Sequence, residues 1–291
     1  MKIGVDLGGT KIEAIVLDRD GAERFRKRIR TPEHYEERVD AVSELVAQAR
    51  ATAGPDATIG IGTPGTTSPH TGRMQNAENL IGQTLRADLE HALGQPVRMA
   101  NDANCFALSE AIDGAAAEYN VVFGVILGTG VGGGLVIDGT PITGRNAITG
   151  EWGHNPLPRM RGNERPGPDC YCGRRGCIET FLNGRGLTRA YLDHCGEMAS
   201  PETIAHGDTP HKAAALEVYV DRLARALATM INIIDPDVIV LGGGLSNIEY
   251  LYEALPPLLR PHIFSDGFST PIVKAKHGDS SGVRGAALLW N

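Results

Sequence analysis

The stretch from residue 150 to residue 179 holds the side chains of this chain that are best suited to bind a metal ion. His154 precedes three closely spaced cysteines, Cys170, Cys172 and Cys177. Imidazole nitrogen and thiolate sulfur are ligands that zinc prefers, and one histidine with three cysteines leaves no coordination position open for a catalytic water. The pattern predicts a structural zinc ion, and a disulfide within the cluster is the alternative.

Two carboxylates accompany the predicted metal ligands. Glu151 precedes His154 by three residues, and Glu179 follows Cys177 by two residues. A metal ion that holds its ligands in place also orients the side chains next to them. We therefore expect the loop 151–179 to be a zinc-braced surface that presents both carboxylates to a polar ligand.

Glycine accounts for 37 of the 291 residues and clusters in turns that follow apolar runs. The run 3–7 leads through a glycine turn into a second predicted strand, 12–17, which indicates a hairpin and not the strand-to-helix step of a dinucleotide-binding or Walker motif. Such a turn can offer backbone N–H groups to phosphate oxygens, with a hydroxyl from Thr10 and a carboxylate from Asp6 near a metal ion. The strand, glycine turn, strand pattern returns at 121–137, with the turn expected at 128–134. It predicts a second phosphate contact, with ordinary turns as the alternative.

Other polar and glycine positions also follow predicted strands. Asp102 stands between a predicted strand and a predicted helix, where it either caps the helix or acts as a catalytic base. The loops 62–65 and 75–79 are polar and could line a sugar site, although surface turns are the alternative. The glycine run 242–244 ends a predicted parallel strand, a place where nucleotides often bind.

Length and composition limit the class of protein. The chain is long enough for two domains, its strands and helices alternate as in an α/β fold, and an Ala-rich run near 114–118 marks a boundary. A formal net charge of -7 argues against binding to nucleic acid or to an anionic membrane. There is no apolar run of about eighteen residues, and Cys105 and Cys195 fit free thiols in a reducing compartment. We expect a cytoplasmic protein.

Six motifs, in order along nearly the whole chain, resemble the ROK family of sugar kinases. They are Asp6–Lys11, Asn101–Asn104, Gly128–Gly134, Gly150–His154, the cysteine cluster and Asp237–Gly244. The resemblance implies an α/β protein with the two-domain actin-like, ribonuclease-H-like ATPase fold. It predicts an N-terminal α/β domain at 1–117, with a last helix of about 281–291 packed back on it, and a C-terminal α/β domain at 118–280 that carries the loop 151–179.

The resemblance also implies cofactors and site residues. ATP and Mg²⁺ are expected at Asp6, Gly8, Gly9, Thr10, Lys11, Thr129, Gly130, Gly132, Gly133, Gly134, Gly243 and Gly244. Asp102 is expected to be the general base that takes the proton from the primary hydroxyl of a sugar. Sugar contacts are expected at Gly65, Asn79, Asn101, Asp102, Glu151, His154 and Glu179, and structural Zn²⁺ at His154, Cys170, Cys172 and Cys177.

The preferred sugar is expected to be a hexose. The segments 150–158 and 276–285 most resemble bacterial fructokinases of the manno(fructo)kinase type, which implies ATP-dependent conversion of D-fructose to fructose 6-phosphate. The segments 104–110 and 141–144 are similar to bacterial N-acetylglucosamine kinases, so N-acetylglucosamine is the alternative, together with mannose and glucose. The family's glucokinases often have Asn-Leu-Pro-Trp where this chain has Asn-Leu-Ile-Gly at 79–82, which argues against glucose.

Two other classes of function are alternatives to a kinase. A sugar-responsive repressor of the family carries an N-terminal helix-turn-helix domain, for which a phosphate turn so close to Met1 leaves no room. A zinc-binding regulatory or scaffolding protein that catalyses no reaction would require that Asp102 has no catalytic role. The family resemblance further suggests a homodimer with a hexose as its small-molecule partner, and no nucleic-acid or membrane partner.

Overall fold

The computed structural model describes residues 1–77 and 79–291, with the backbone but not the side chain of Asp279. Numbered along the chain, the strands are β1 (Lys2–Leu7), β2 (Lys11–Leu17), β3 (Glu23–Arg30), β4 (Thr58–Thr63), β5 (Thr66–Thr67), β6 (Met74–Gln75), β7 (Val97–Asn101), β8 (Val121–Leu127), β9 (Val131–Ile137), β10 (Thr140–Pro141), β11 (Val238–Gly242) and β12 (Ile272–Lys274). The helices are α1 (Tyr35–Ala53), α2 (Leu85–Leu93), α3 (Asp102–Ile112), α4 (Ile178–Leu182), α5 (Gly184–Cys195), α6 (Pro201–Ala205), α7 (Pro210–Ile234), α8 (Tyr250–Leu259) and α9 (Ser281–Leu288).

The contacts between Cα atoms divide the chain into two compact units. The first unit comprises residues 1–118, 134–149 and 276–291, and the second comprises residues 119–133 and 150–275. The predicted division into 1–117 and 118–280 differs from this one, because residues 118, 134–149 and 276–280 lie in the first unit.

Two contacts explain why these segments lie in the first unit. Gly134 packs directly on α3, since a Cβ atom there would lie 2.5 Å from the carbonyl oxygen of Ala103. The buried carboxylate of Glu110, also on α3, accepts hydrogen bonds from the backbone N–H groups of Lys276 and His277. Local sequence does not reveal either contact, because the partners are far apart along the chain.

The first unit is built on a five-stranded sheet with the order β3-β2-β1-β4-β7. β1 and β2 form the predicted antiparallel hairpin, and β1, β4 and β7 run parallel to one another. Buried residues, most of them apolar, make up most of β1, β2 and β4, as expected for strands covered by helices. Helix α1 packs against β1 and β2, and helix α9 packs against β1 and β4. The carboxyl ends of the parallel strands therefore lie at one edge of this sheet.

Glycine lets α9 approach this sheet closely. A Cβ atom at Gly4 would lie 2.2 Å from the carbonyl oxygen of Val283, and one at Gly60 would lie 1.8 Å from that of Ala286. Any larger residue at either strand position would push the last helix away from β1 and β4.

The second unit is organised around the parallel strands β8, β11 and β12. The sheet order is β10-β9-β8-β11-β12, and β9 passes from the second unit into the first at Gly134. Helices α4, α5, α7 and α8 surround an apolar core that includes Phe123, Leu127, Tyr219 and Leu223. The α/β class predicted from the alternation of strands and helices is confirmed. None of the described helices combines the length and the apolar character needed to cross a membrane.

Candidate functional site

Three parallel strands of the first unit bring predicted site residues to one sheet edge. Asp6 on β1 lies opposite Gly62 on β4, and Asn101 at the end of β7 lies opposite Thr63. Asp102 follows as the first residue of α3. The carboxyl edge of parallel strands is where ligands of α/β proteins commonly bind.

The Asp6 carboxylate occupies a half-buried position between two glycines. Cβ atoms built on Gly62 and Gly282 would lie 3.8 and 3.7 Å from its oxygens. Burial, together with the negative charges of Asp102 and Glu13, raises the pKa of Asp6 to about 7. Carboxylates that repel one another favour a cation at the same place. Asp6 and Asp102 can therefore attract a divalent cation.

We expect Asp6→Asn to make the metal-free protein more stable at alkaline pH relative to the wild type. The folded-state pKa of about 7 exceeds the ordinary value of 3.8, so the stability that Asp6 contributes is present at acidic pH and is lost as the pH rises through 7. A pKa difference of one corresponds to about 1.4 kcal/mol. Between about pH 5 and pH 8 the free energy of unfolding of the variant should rise by about 2–3 kcal/mol relative to wild type.

Urea unfolding at the two pH values, without added divalent cation, measures this difference. Asp56→Asn, at an exposed aspartate of the same unit, is the matched control and should follow the wild-type pH dependence. If the free energy of unfolding of Asp6→Asn also followed the wild-type pH dependence, the raised pKa of Asp6 would be contradicted.

The residue that caps α3 is Asn101. Its Oδ1 accepts a hydrogen bond from the backbone N–H of Ala103 at 2.9 Å, and the Oδ1 of Asp102 accepts from the same N–H at 2.8 Å. Asp102 stands one position further on, inside the first turn of the helix. The alternative in which Asp102 is the N-cap of α3 is therefore wrong, because Asn101, the last residue of β7, is the N-cap. The assignment of Asp102 as a catalytic base stays a prediction.

The first glycine turn closes the hairpin between β1 and β2. The N–H of Gly8 donates to the carbonyl oxygen of Lys11 at 3.0 Å, and the hydroxyl of Thr31 donates to the carbonyl oxygen of Gly8 at 2.8 Å. Gly9 and Thr10 are exposed, and a Cβ atom at Gly9 would meet no atom within 4 Å. The turn thus has a fixed backbone and open space above Gly9, as a phosphate site requires.

Two predicted sugar contacts of the first unit, Gly65 and Asn79, lie on the segments after β4. Gly65 leads from β4 into the β5–β6 hairpin with a φ of +68°, and a Cβ atom there would lie 2.2 Å from the carbonyl oxygen of Gln75. Packing alone therefore requires glycine at this position. Asn79 is exposed, and its carbonyl oxygen accepts a hydrogen bond from Arg38. Glu78, within the polar loop 75–79, lies outside the described residues.

The second glycine turn, in the second unit, is shorter than predicted. It spans Gly128–Gly130, where the N–H of the first glycine donates to the carbonyl oxygen of the last, and β9 already begins at Val131. Gly132, Gly133 and Gly134 therefore lie in a strand. Packing explains this, since the indole N–H of Trp152 donates to the carbonyl oxygen of Gly132 and a Cβ atom at Gly133 would lie 2.8 Å from the indole ring. Thr129 is exposed at the tip of the turn.

A further glycine pair, Gly243 and Gly244, follows β11 beside this turn. β11 pairs in parallel with β8, so Gly243 and Gly244 lie at the same sheet edge as the turn Gly128–Gly130. Gly243 has a φ of +81°, and a Cβ atom there would lie 2.5 Å from the carbonyl oxygen of Leu127, whereas a Cβ atom at Gly244 would meet no atom within 4 Å. This edge offers two adjacent glycine turns to a nucleotide.

The four predicted metal ligands meet in the second unit. The ligand atoms of His154, Cys170, Cys172 and Cys177 all lie within 4.8 Å of one another. Nδ1 of His154 is 3.5 Å from Sγ of Cys170, and the Sγ atoms of Cys172 and Cys177 are 3.7 Å apart. Two sulfurs bound at about 2.3 Å to a tetrahedral zinc ion lie about 3.8 Å apart, so the residues fit this metal. All three cysteines are free thiols and not a disulfide.

Backbone hydrogen bonds hold this cluster in shape. The N–H of Cys170 donates to the carbonyl oxygen of Arg174, and the N–H of Ile178 donates to that of Asn155, each at 2.8 Å. Burial raises the pKa of Cys172, but hydrogen bonds from the backbone N–H of Arg174 and with the two other thiols outweigh burial and lower this pKa to about 7. A lowered pKa favours the thiolate that a metal ion needs.

Glu179 connects the metal loop to the second glycine turn. Its Oε2 accepts a hydrogen bond from the N–H of Val131 at 3.2 Å, and its Oε1 lies 3.8 Å from Sγ of Cys170. A Cβ atom at Gly130 would lie 3.0 Å from the same carboxylate. This predicted sugar contact is buried, and it also fixes the position of the turn.

Glu151 and His154 share one 3₁₀ turn. Their side chains approach to 3.9 Å between Oε2 of Glu151 and Nε2 of His154. Burial raises the pKa of Glu151; the nearby His154 lowers it and the charge of Glu179 raises it. The second unit thus brings together the three predicted sugar contacts Glu151, His154 and Glu179.

Tyr171 is a neighbour of these residues that sequence reasoning missed. Its hydroxyl is 2.9 Å from Nε2 of His154, and the two rings meet edge to face at 5.0 Å between centroids. The only indication in the sequence is its position between two predicted metal ligands, Cys170 and Cys172.

Comparisons with known proteins show what the whole chain is similar to. The profile described as "ROK family" matches residues 2–291. An N-acetyl-D-glucosamine kinase from Escherichia coli O127:H6 is 44% identical over 299 residues, covering 99% of both chains. Among solved structures, a ROK hexokinase from Thermus thermophilus has a TM-score of 0.86 and 32% identity, covering 99% of this chain and 97% of that one. A ROK family glucokinase from Streptomyces griseus, in complex with glucose and AMPPNP, has a TM-score of 0.79 and 28% identity, covering 98% and 97%.

Proposed function

Because the chain belongs to the ROK family and has the sugar kinase activity of that family, we propose that it transfers the γ-phosphate of ATP to the primary 6-hydroxyl of N-acetylglucosamine. The observation that carries the choice of sugar is the 44% identity, over 99% of both chains, to a protein named N-acetyl-D-glucosamine kinase. The comparisons do not support the expected preference for fructose, so N-acetylglucosamine, the alternative, replaces fructose as the proposed substrate.

Contacts within the first unit support this choice. The segment 141–144, which resembles N-acetylglucosamine kinases, runs into residues 146 and 147, and their carbonyl oxygens accept hydrogen bonds from Gln75 and Thr66. Both donors belong to the β5–β6 hairpin that begins just after Gly65, a predicted sugar contact. The residues just after the segment 141–144 are therefore hydrogen-bonded to the hairpin that follows Gly65, a predicted sugar contact.

Each unit contributes its own groups to the proposed reaction. In the first unit, Asp102 accepts the proton of the 6-hydroxyl, Asn101 contacts the sugar, and the turn Gly8–Lys11 binds phosphate. Mg²⁺ would be held near Asp6 and would neutralise charge on the phosphates. In the second unit, the glycines at 128–130 and 243–244 bind the nucleotide, and Glu151, His154 and Glu179 bind sugar hydroxyls.

Zinc is proposed as a structural ion on His154, Cys170, Cys172 and Cys177. The support is the chemistry of the donor set and the separation of 3.7 Å between two of its sulfurs. Such an ion supplies shape and no reaction step, because four protein ligands fill its tetrahedral coordination.

A coupled assay of ADP release with N-acetylglucosamine, fructose, mannose and glucose tests the choice of sugar. We expect the highest kcat/KM with N-acetylglucosamine. A higher value with fructose would restore the first expectation, and no turnover with any of the four would favour the zinc-binding protein without catalysis. A homodimer is also proposed, and light scattering of the purified protein would test it.

A further inference from the structure

His154 has two ring nitrogens, and only one faces the thiols. Nδ1 is 3.5 Å from Sγ of Cys170, so the ring hydrogen belongs on Nε2 when Nδ1 binds a metal ion. The hydroxyl oxygen of Tyr171 lies 2.9 Å from Nε2. Since an imidazole N–H has a single hydrogen, the hydroxyl of Tyr171 and a hydroxyl of the sugar compete for it.

Contacts with His154 hold Tyr171 over this nitrogen. The residue is 77% exposed, and its ring meets the imidazole edge to face at an interplanar angle of 85°. A side chain so exposed can turn away with a small loss of packing. We infer that Tyr171 is a gate of the sugar site, whose hydroxyl occupies Nε2 of His154 in the empty protein and leaves when a sugar hydroxyl binds there. This inference rests on the proposed function.

The variant Tyr171→Phe tests the gate, because it removes the hydroxyl and keeps the ring. We expect the KM for N-acetylglucosamine to fall about threefold to tenfold, the effect of losing one competing hydrogen bond, with kcat and the KM for ATP unchanged. The same competitor acts against every sugar, so the ratios of kcat/KM among the four sugars should not change. Tyr171→Ala, which removes the ring as well, should lower the KM at least as much.

Tyr250→Phe, at an exposed tyrosine of α8 in the same unit, is the matched control and should behave as wild type. All variants should contain as much zinc as wild type. A raised KM in Tyr171→Phe would make Tyr171 a direct sugar contact, and an unchanged KM would show no competition. Either result overturns the gate and leaves the proposed function standing. A wild-type protein that phosphorylates none of the four sugars overturns both.

Discussion

Asp102→Asn should lower kcat for sugar phosphorylation by at least about 100-fold, the usual contribution of a general base. The amide has the shape of the carboxylate but cannot accept the proton of the attacking hydroxyl. The fold should be retained, because the N-cap of α3 is Asn101 and that residue is unchanged. The ADP-release assay gives kcat, and thermal unfolding reports on the fold.

The matched control is Asp40→Asn, which alters an exposed aspartate of α1 in the same unit and should keep wild-type activity. Zinc content should be equal in both variants, because all four proposed ligands lie in the second unit. An Asp102→Asn protein with more than about a tenth of wild-type kcat would refute the base assignment. The variant should also lower the pKa of Asp6, since the charge of Asp102 helps to raise it.

Cys172→Ala should abolish zinc binding at the proposed site and raise the KM for the sugar at least about tenfold, with a smaller effect on the KM for ATP. Loss of one ligand frees the loop that carries Glu151 and His154. The second glycine turn keeps its own backbone hydrogen bond between Gly128 and Gly130, although Glu179 links it to the loop. Metal analysis of the purified protein and steady-state kinetics with each substrate measure the two effects.

Cys195→Ser is the control for Cys172→Ala, because Cys195 is a free thiol of the same unit that contacts the carbonyl oxygen of Tyr191 and lies outside the metal cluster. This variant should keep its zinc and both KM values. Full zinc content in Cys172→Ala would refute the ligand assignment. Equal loss of affinity for sugar and ATP would indicate general unfolding.

Local patterns predicted the parts of the fold whose partners are close along the chain. Two apolar runs around a short glycine turn can only pair as a hairpin, and β1 and β2 do so. The helical spacing of apolar residues at 213–234 predicts a long helix, and the structure has α7 there, which begins at Pro210 after a cap by Thr209. The close spacing of the cysteines predicted that their side chains meet, and the ligand atoms of His154, Cys170, Cys172 and Cys177 do lie within 4.8 Å of one another.

Residues that depend on distant contacts were predicted less well. The glycines 132–134 look like a continuation of the turn, but the ring of Trp152 packs on Gly133 and the backbone of α3 packs on Gly134. Both neighbours require glycine for space, and the role of Gly132–Gly134 in binding ATP stays a prediction. The sequence therefore predicts too long a turn, since a glycine that admits a neighbour cannot be told from one that admits a phosphate.

The sequence by itself determined which chemistry the stretch 150–179 can perform, because residue type and spacing decide which donor atoms can reach one metal ion. Only the tertiary structure decided how those groups are used. It directs Nδ1 of His154 to the thiols and sets the hydroxyl of Tyr171 against Nε2. It also joins the carboxylate of Glu179 to the N–H of Val131. Side-chain orientation and long-range pairing arise from packing between segments that are far apart along the chain, and no local pattern encodes them.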